Sequence, residues 1–162
     1  MSKLHFKPLY EASTGDIIAL MNNDLVGRHM PLLGARFSET DCEAFLKAKK
    51  KLWDDFGYGP VAFFIDGVFA GWGGLQPERG ETDFALVLHP DYWGWGRAIF
   101  EKIKKQAFGE MRLSSITVLF PPGRRNANAI LRAGFAEDGD LTIDGRVFRR
   151  FRLYRPLQPF RV

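Results

Sequence analysis

An α+β fold built on a mixed, mostly antiparallel sheet is what this sequence predicts, and three observations carry the prediction. Strand-like apolar runs flank Asp66-Gly67 and again Asp144-Gly145, the strongest short signal for a two-residue hairpin. Between these hairpins an amphipathic pattern from about Arg97 to Phe108 separates the run Thr82–Leu88 from the continuous β-rich run Ser115–Phe120. A strand–helix–strand unit of that kind supplies one parallel pair inside an otherwise antiparallel sheet.

In chain order, Leu4–Leu9 reads as a short strand. Ser13 with Asp16 three residues on is a helix-start signal, opening a short helix through Met21. Asp24–Phe37 has no clear period and is punctuated by Gly27, Pro31 and Gly34, so it reads as a loop. Ser38 with Asp41 repeats the cap signal ahead of a longer helix whose apolar stripe includes Phe45, Leu46, Leu52, Trp53 and Phe56. Gly57–Pro60 ends it. Strands Val61–Ile65 and Val68–Leu75 follow, then a polar loop Gln76–Gly80, the strand Thr82–Leu88 and a glycine-rich turn. The helix Arg97–Phe108 ends at Gly109, and Pro121-Pro122-Gly123 separates the strand Ser115–Phe120 from a short helix, Asn126–Ala133. A last hairpin carries Val147–Tyr154 as its second strand. The order is β-α-α-β-β-β-α-β-α-β-β.

The 162 residues contain no repeat, low-complexity tract or Gly/Pro/Ser-rich linker, which makes residues 1–162 a single domain. With 46% hydrophobic residues there is material for a full core, so disorder does not describe the chain. The longest apolar stretches, Pro60–Ile65 and Val68–Leu75, are far shorter than the ~20 residues of a membrane helix. Met1–Tyr10 carries charges and lacks the apolar core of a signal peptide, and the expectation is a cytoplasmic protein without membrane contact. The single cysteine, Cys42, excludes an internal disulfide, and the scattered His5, His29 and His89 give no metal site. Charge is asymmetric: residues 1–90 hold 9 basic and 12 acidic side chains, residues 91–162 hold 14 and 7. A basic half fits an anionic partner, either nucleic acid or the phosphates of a small molecule, and equally a solvated surface.

The informative segment is Leu86-Val87-Leu88-His89-Pro90-Asp91-Tyr92-Trp93-Gly94-Trp95-Gly96-Arg97-Ala98. A strand enters a turn with two spaced glycines, and a helix opens at once with a small residue in its first turn. Bare backbone lets N–H groups approach an anion, and the helix N-terminus adds unpaired donors and a positive dipole end. The segment lacks the Lys-Ser/Thr of a nucleotide P-loop and the three-glycine spacing of a dinucleotide fold. On these grounds alone it is a phosphate cradle or simply a tight strand-to-helix turn.

This segment resembles the acetyl-CoA-binding motif of the GNAT (Gcn5-related N-acetyltransferase) superfamily, in which Q/R-x-x-G-x-G/A opens a helix. Trp93 stands at the Q/R position, Gly96 at the first glycine and Ala98 at the last small residue. Tyr-Trp-Gly-x-Gly, together with Phe56-Gly57-Tyr58-Gly59, Ala70-Gly71-Trp72-Gly73-Gly74-Leu75 and Ala133-Gly134-Phe135, is similar to the branch related to ribosomal-protein N-terminal acetyltransferases. The resemblance spans roughly residues 3–155 and shares the element order. It implies a central sheet with helices on both faces and a V-shaped opening between the fourth and fifth strands. Acetyl-CoA would lie there as co-substrate, without a metal, its pantetheine pairing with main-chain groups near Leu86 and Leu88 and its pyrophosphate resting on N–H groups from Gly94 through Trp95, Gly96 and Arg97 to Ala98. Arg124 and Arg125 join Arg97 as arginines near in sequence. Asn126, opening the next helix, matches the family's coenzyme-binding asparagine and equally suits a helix cap; the family's tyrosine acid has no counterpart in Gly123–Phe135.

The implied reaction is direct attack of a primary amine, on a protein N-terminus or a small molecule, on the thioester, with the N–H near Leu88 stabilising the oxyanion. A homodimer stays open. A lysine amine, pKa ~10.4, needs more help from a base at neutral pH than an α-amine near ~8. Candidate bases are Glu81 and Asp83 at the start of the motif strand and His89 at its end. Asp83 matches the family's strand-opening glutamate by register, one methylene shorter, and is expected to act through water. Cys42, distant from the motif, reads as a small apolar residue. Acceptor specificity is expected in Asp24–Phe37 and Ser38–Phe56, with the mixed set His29, Arg36, Trp53, Asp54 and Asp55. The alternative is a catalytically inactive module that binds RNA or protein through Arg146, Arg149, Arg150, Arg152, Arg155 and Arg161, interleaved with Phe148, Phe151, Tyr154 and Phe160. Strand alternation offers a plainer account, with one face in the core and arginines on the other.

Overall fold

The computed structural model describes residues 2–28 and 36–157. Seven strands form one sheet in the order β1 (Leu4–Pro8), β2 (Val61–Ile65), β3 (Val68–Glu78), β4 (Glu81–Leu88), β5 (Ser115–Phe120), β7 (Arg146–Tyr154), β6 (Ala136–Ile143). All neighbours are antiparallel except β4 and β5. Alternating residues build a core on each face. Phe63, Leu75, Leu88, Ile116, Val118 and Phe151 pack with Ile99 and Ile103 of α4 (Gly96–Lys105). Ala62 and Trp72 pack with α1 (Thr14–Met21), α2 (Asp24–Gly27) and α3 (Glu39–Phe56) on the other side. Cys42 is fully buried in this second core, as an apolar residue would be.

The Ser38–Asp41 signal is a complete capping box: Asp41 N–H donates to Ser38 Oγ at 3.1 Å and Ser38 N–H to the Asp41 carboxylate at 2.9 Å. Four elements differ from expectation. Asp24–Gly27 is a short helix rather than loop, because Asn23 Oδ1 accepts the N–H groups of Leu25 and Val26; residues 29–35 lie outside the described set. The segment Gln76–Glu78 continues β3, and only Arg79-Gly80, both at positive φ, makes the turn. Pro77 is tolerated there since β2 accompanies β3 only as far as Gly73. The helix after the motif strand begins as a 3₁₀ turn at Pro90–Trp95 and closes in a π-helical turn, Gln106–Glu110, that contains Gly109. Helix α5 spans only Asn128–Arg132.

Candidate active site

Strand β4 pairs β3 from Glu81 to Leu88 but meets β5 at a single register, Asp83↔Thr117. Past that bridge the two strands part around a cleft of about 570 Å³. Asp83 forms its floor, Leu86, Leu88 and Trp93 one side, and Phe120 and Arg124 the other.

The polar edge of this cleft follows from how tightly β4 is held on its far side. A Cβ on Gly71 or Gly73 of β3 would lie 2.1 Å from the carbonyl oxygen of Val87 or Ala85, so only bare backbone permits the approach. With His89 N–H donating to Ala70 O at 2.8 Å, the main-chain groups of residues 85, 87 and 89 are turned toward β3. Alternation therefore turns those of Leu86 and Leu88 toward β5, where no strand meets them. The Leu88 carbonyl accepts Trp93 Nε1–H at 3.0 Å. Leu86 and Trp93 leave 38% and 48% of their surface open, an apolar lining beside an unpaired strand edge.

At the floor, Asp83 is buried and accepts the Thr117 hydroxyl at 2.8 Å. Burial pushes its carboxyl up to about 7, against the Thr117 bond, which pulls the other way. Glu81, two residues earlier on the same face, is held differently. Arg152 grips it with two hydrogen bonds, 2.7 and 2.9 Å, and also donates to Ser115 Oγ and to Asp138. That guanidinium keeps Glu81 below the usual carboxylate range. His89 sits at the strand end outside the cleft lining, where its Nδ1 accepts Asp91 N–H at 3.1 Å and caps the 3₁₀ turn.

The expected open glycine turn is helical throughout. Gly96, at φ −54° and ψ −42°, already donates its N–H to Trp93 O. Neither Gly94 nor Gly96 has positive φ. A Cβ on Gly94 would meet nothing within 4 Å, and one on Gly96 only Leu86 Cδ2 at 3.4 Å. The fold does not require glycine at either position, and their bareness matters only to something approaching from outside. Helix α4 begins without a side-chain cap or an acidic residue in its first turn. Arg97 and Ala98 are exposed there, while Trp95 packs inward on the main core. Asn126 Oδ1 accepts Asn128 N–H at 3.0 Å and starts α5.

The structure gives two further residues a place in the cleft. Arg124 is largely exposed yet lines the cleft, its guanidinium 4.2 Å from the Phe120 ring centre and without an ion pair among the described residues. Sequence order had already set it beside Arg97 and Arg125, and the Pro-Pro-Gly turn delivers it to the end of β5. Trp72 lines the cleft from β3, and its signal is an aromatic residue between two strand glycines.

The proposed acceptor set is not gathered at the cleft. Asp54 and Asp55 pair with Lys50 and Lys51 on the exposed side of α3, and Trp53 Nε1–H donates to Pro60 O. Arg36 is exposed, and His29 lies outside the described residues. Three arginines of β7 are engaged with neighbouring carboxylates: Arg149 with Glu137, Arg150 with Asp138, Arg152 with Glu81 and Asp138. Arg155 donates to Arg112 O, and Phe148 and Phe151 are buried. Phe160 and Arg161 lie outside the described residues. A nucleic-acid surface on this strand is not favoured.

No family model and no curated protein matches this sequence. Solved structures match it by fold. The acetyltransferase (GNAT family) from Bacillus anthracis superposes with a TM-score of 0.72 at 14% identity, over 94% of this chain and 95% of that one. The acetyltransferase from Agrobacterium tumefaciens gives 0.72 at 19% identity, over 93% and 90%. The chain has the GNAT acetyltransferase fold. A third structure with this fold, spermidine N-acetyltransferase from Vibrio cholerae in complex with CoA and spermine, matches with a TM-score of 0.70 at 17% identity, over 94% and 95%. The GNAT sheet, mostly antiparallel with helices on both faces, agrees with the architecture expected from sequence, including the parted β4 and β5.

Proposed function

We propose that this chain is an acetyl-CoA-dependent N-acetyltransferase that moves the acetyl group to a primary amine. The observation that carries the reading is the strand edge at Leu86 and Leu88, turned into a cleft and lacking a strand partner. An extended, amide-bearing chain such as pantetheine supplies the missing partner. Three further features fit the coenzyme's phosphates: the side-chain-free surface at Gly94 and Gly96, the uncapped start of α4, and the Arg124 guanidinium on the opposite lip. The Vibrio cholerae enzyme of this fold, solved with CoA, supports the same ligand class.

Acetyl-CoA supplies an activated acyl group, and the chain supplies position, a donor and a proton acceptor. Pairing along Leu86 and Leu88 holds the thioester in line for the amine, which replaces most of what a covalent intermediate would contribute. The N–H of Leu88, with its carbonyl already satisfied by Trp93, donates to the negative charge that develops on the acetyl oxygen. Asp83 lies five residues, roughly 16 Å of strand, from Leu88, so it takes the amine proton through waters in the cleft, and its raised pKa suits an exchange at neutral pH. As the C–N bond forms the C–S bond breaks, and the proton held at Asp83 is available to the departing thiolate. No tyrosine lines the cleft among the described residues, and a thiol pKa of ~8.5 makes departure possible without one.

Calorimetric titration of acetyl-CoA, followed by thiol release with a panel of amines, tests the reading. Saturable binding and amine-dependent thiol release are expected, and a folded protein that binds no acetyl-CoA would overturn it.

A further inference from the structure

On the acetyltransferase reading, the amine has to arrive on the side of the sheet that the coenzyme leaves open, and strand parity identifies that side. Phe84 and Leu88 pack toward α4, Phe84 with its ring 5.2 Å from Phe100, and Leu86 Cδ2 lies closest to Gly96. Asp83, Ala85 and Val87 therefore face the opposite layer. Val26, Trp72, Ala85 and Val87 form an apolar wall beside Asp83, the only carboxylate in the lining among the described residues. The nearby acids are engaged elsewhere, Glu81 with Arg152 and Glu78 with Arg79. The charge directly behind the wall is positive. Lys49 Nζ lies 5.3 Å from the Trp72 ring and donates to Gln76 Oε1, with no ion pair among the described residues. Trp72 itself is 5% exposed, and its indole N–H has no hydrogen-bond partner among the described residues. Buried N–H groups are seldom left so; this nitrogen is closed to solvent in the free chain, so a ligand oxygen satisfies it with a turn of the ring toward the cleft.

We infer that the acceptor is an apolar monoamine carrying a hydrogen-bond-accepting oxygen close to its amine, that Trp72 reads this oxygen, and that di- and polyamines are rejected. A second ammonium entering this wall would lose water without gaining a carboxylate, and would do so next to Lys49. The shared fold of the spermidine acetyltransferase thus does not carry its acceptor over to this chain.

The test compares three amines at saturating acetyl-CoA: phenylalanine amide, which has the ring and the oxygen, phenethylamine, which lacks the oxygen, and spermidine. Compared per free amine, since an α-amine near ~8 is far less protonated at neutral pH than an alkylamine near ~10, the expected order of kcat/KM is amide over phenethylamine by about 5- to 10-fold, the worth of one neutral hydrogen bond, with spermidine lowest. In Trp72→Phe the gap between amide and phenethylamine should close through a higher KM for the amide. The unaltered chain decides the matter even where that variant does not fold. Spermidine turned over as well as the amide, equal use of amide and phenethylamine, or acetyl-CoA bound with none of the three accepted would each overturn the inference while leaving the coenzyme reading in place. Absence of acetyl-CoA binding would remove both.

Discussion

Gly96→Ala separates what the fold asks of this residue from what a ligand asks. The position has helical dihedrals, φ −54° and ψ −42°, at the first residue of α4. Alanine is favoured over glycine there by about 0.5–1 kcal/mol, largely because the unfolded chain becomes less free. The new methyl meets only Leu86 Cδ2 at 3.4 Å, an ordinary contact. In a chain of this size such a gain raises Tm by about 1–4 °C. Binding should move the opposite way. On the proposed placement of the coenzyme the methyl stands where phosphate oxygens would approach the N–H groups of the first turn, and losing one charge-assisted bond costs about 1.5–3 kcal/mol, roughly 10- to 150-fold in affinity. Differential scanning of unfolding and calorimetry with acetyl-CoA read the two effects on one sample. A raised Tm with unchanged affinity would refute the placement of the phosphates at α4. A lowered Tm would refute the claim that the fold is indifferent to this glycine.

Asp83→Asn tests the base. A carboxyl raised to about 7 keeps its proton in the folded state while the unfolded chain has released it, so between pH ~4 and 7 stability declines as pH rises, by about 4 kcal/mol in all. Asp83→Asn should remove that slope and raise Tm at pH 8. It should also lower kcat far more than it raises KM for acetyl-CoA, with the deficit shrinking at high pH as the amine deprotonates unaided; an unaltered acid limb in the pH–rate profile would exclude Asp83. Arg124→Gln should raise KM for acetyl-CoA about 10-fold, weaken its salt dependence and leave Tm nearly unchanged, since the guanidinium has no ion pair among the described residues. Arg152→Ala leaves Glu81 and Asp138 without their shared cation and should cost ~2 kcal/mol in urea unfolding, less than a fully buried pair because Glu81 and Asp138 retain water contact. Unchanged stability would mean that the network ties nothing together.

What the sequence disclosed was whatever local chemistry decides. Asp66-Gly67 and Asp144-Gly145 demand the backbone of a tight hairpin, and Ser38 with Asp41 satisfies a helix start within four residues. The continuation of β3 through Pro77 was hidden because it depends on where β2 stops. The π-helical close of the motif helix was hidden because Gly109 is also an acceptable stop signal. At the site, register to the family's glutamate favoured Asp83, with Glu81 and His89 kept as candidates. Their separation depends on partners remote in the chain: Arg152, 71 residues from Glu81, and Thr117, 34 residues from Asp83. Trp72 is informative only once its neighbours are known to leave the indole N–H alone.

The place where β4 and β5 stop pairing is also the place where this protein sacrifices stability. A threonine hydroxyl offsets only part of the burial of Asp83, so the carboxylate form is held in the fold at a cost comparable to a large share of a domain's total stability. Asparagine would accept the same Thr117 hydrogen bond without that cost, and so the choice of aspartate is not explained by packing. One step further down the same face, Glu81 is fully compensated by Arg152, which also binds Ser115 and so draws β4 and β5 together just below the point where they part. An uncompensated carboxyl directly above a compensated one, at the apex of an open cleft, is the arrangement expected where a titrating group is needed and a fixed charge is not. On the acetyltransferase reading it gives the proton to Asp83 and the geometry to Glu81, two acids on the same strand face that the sequence separated only by register.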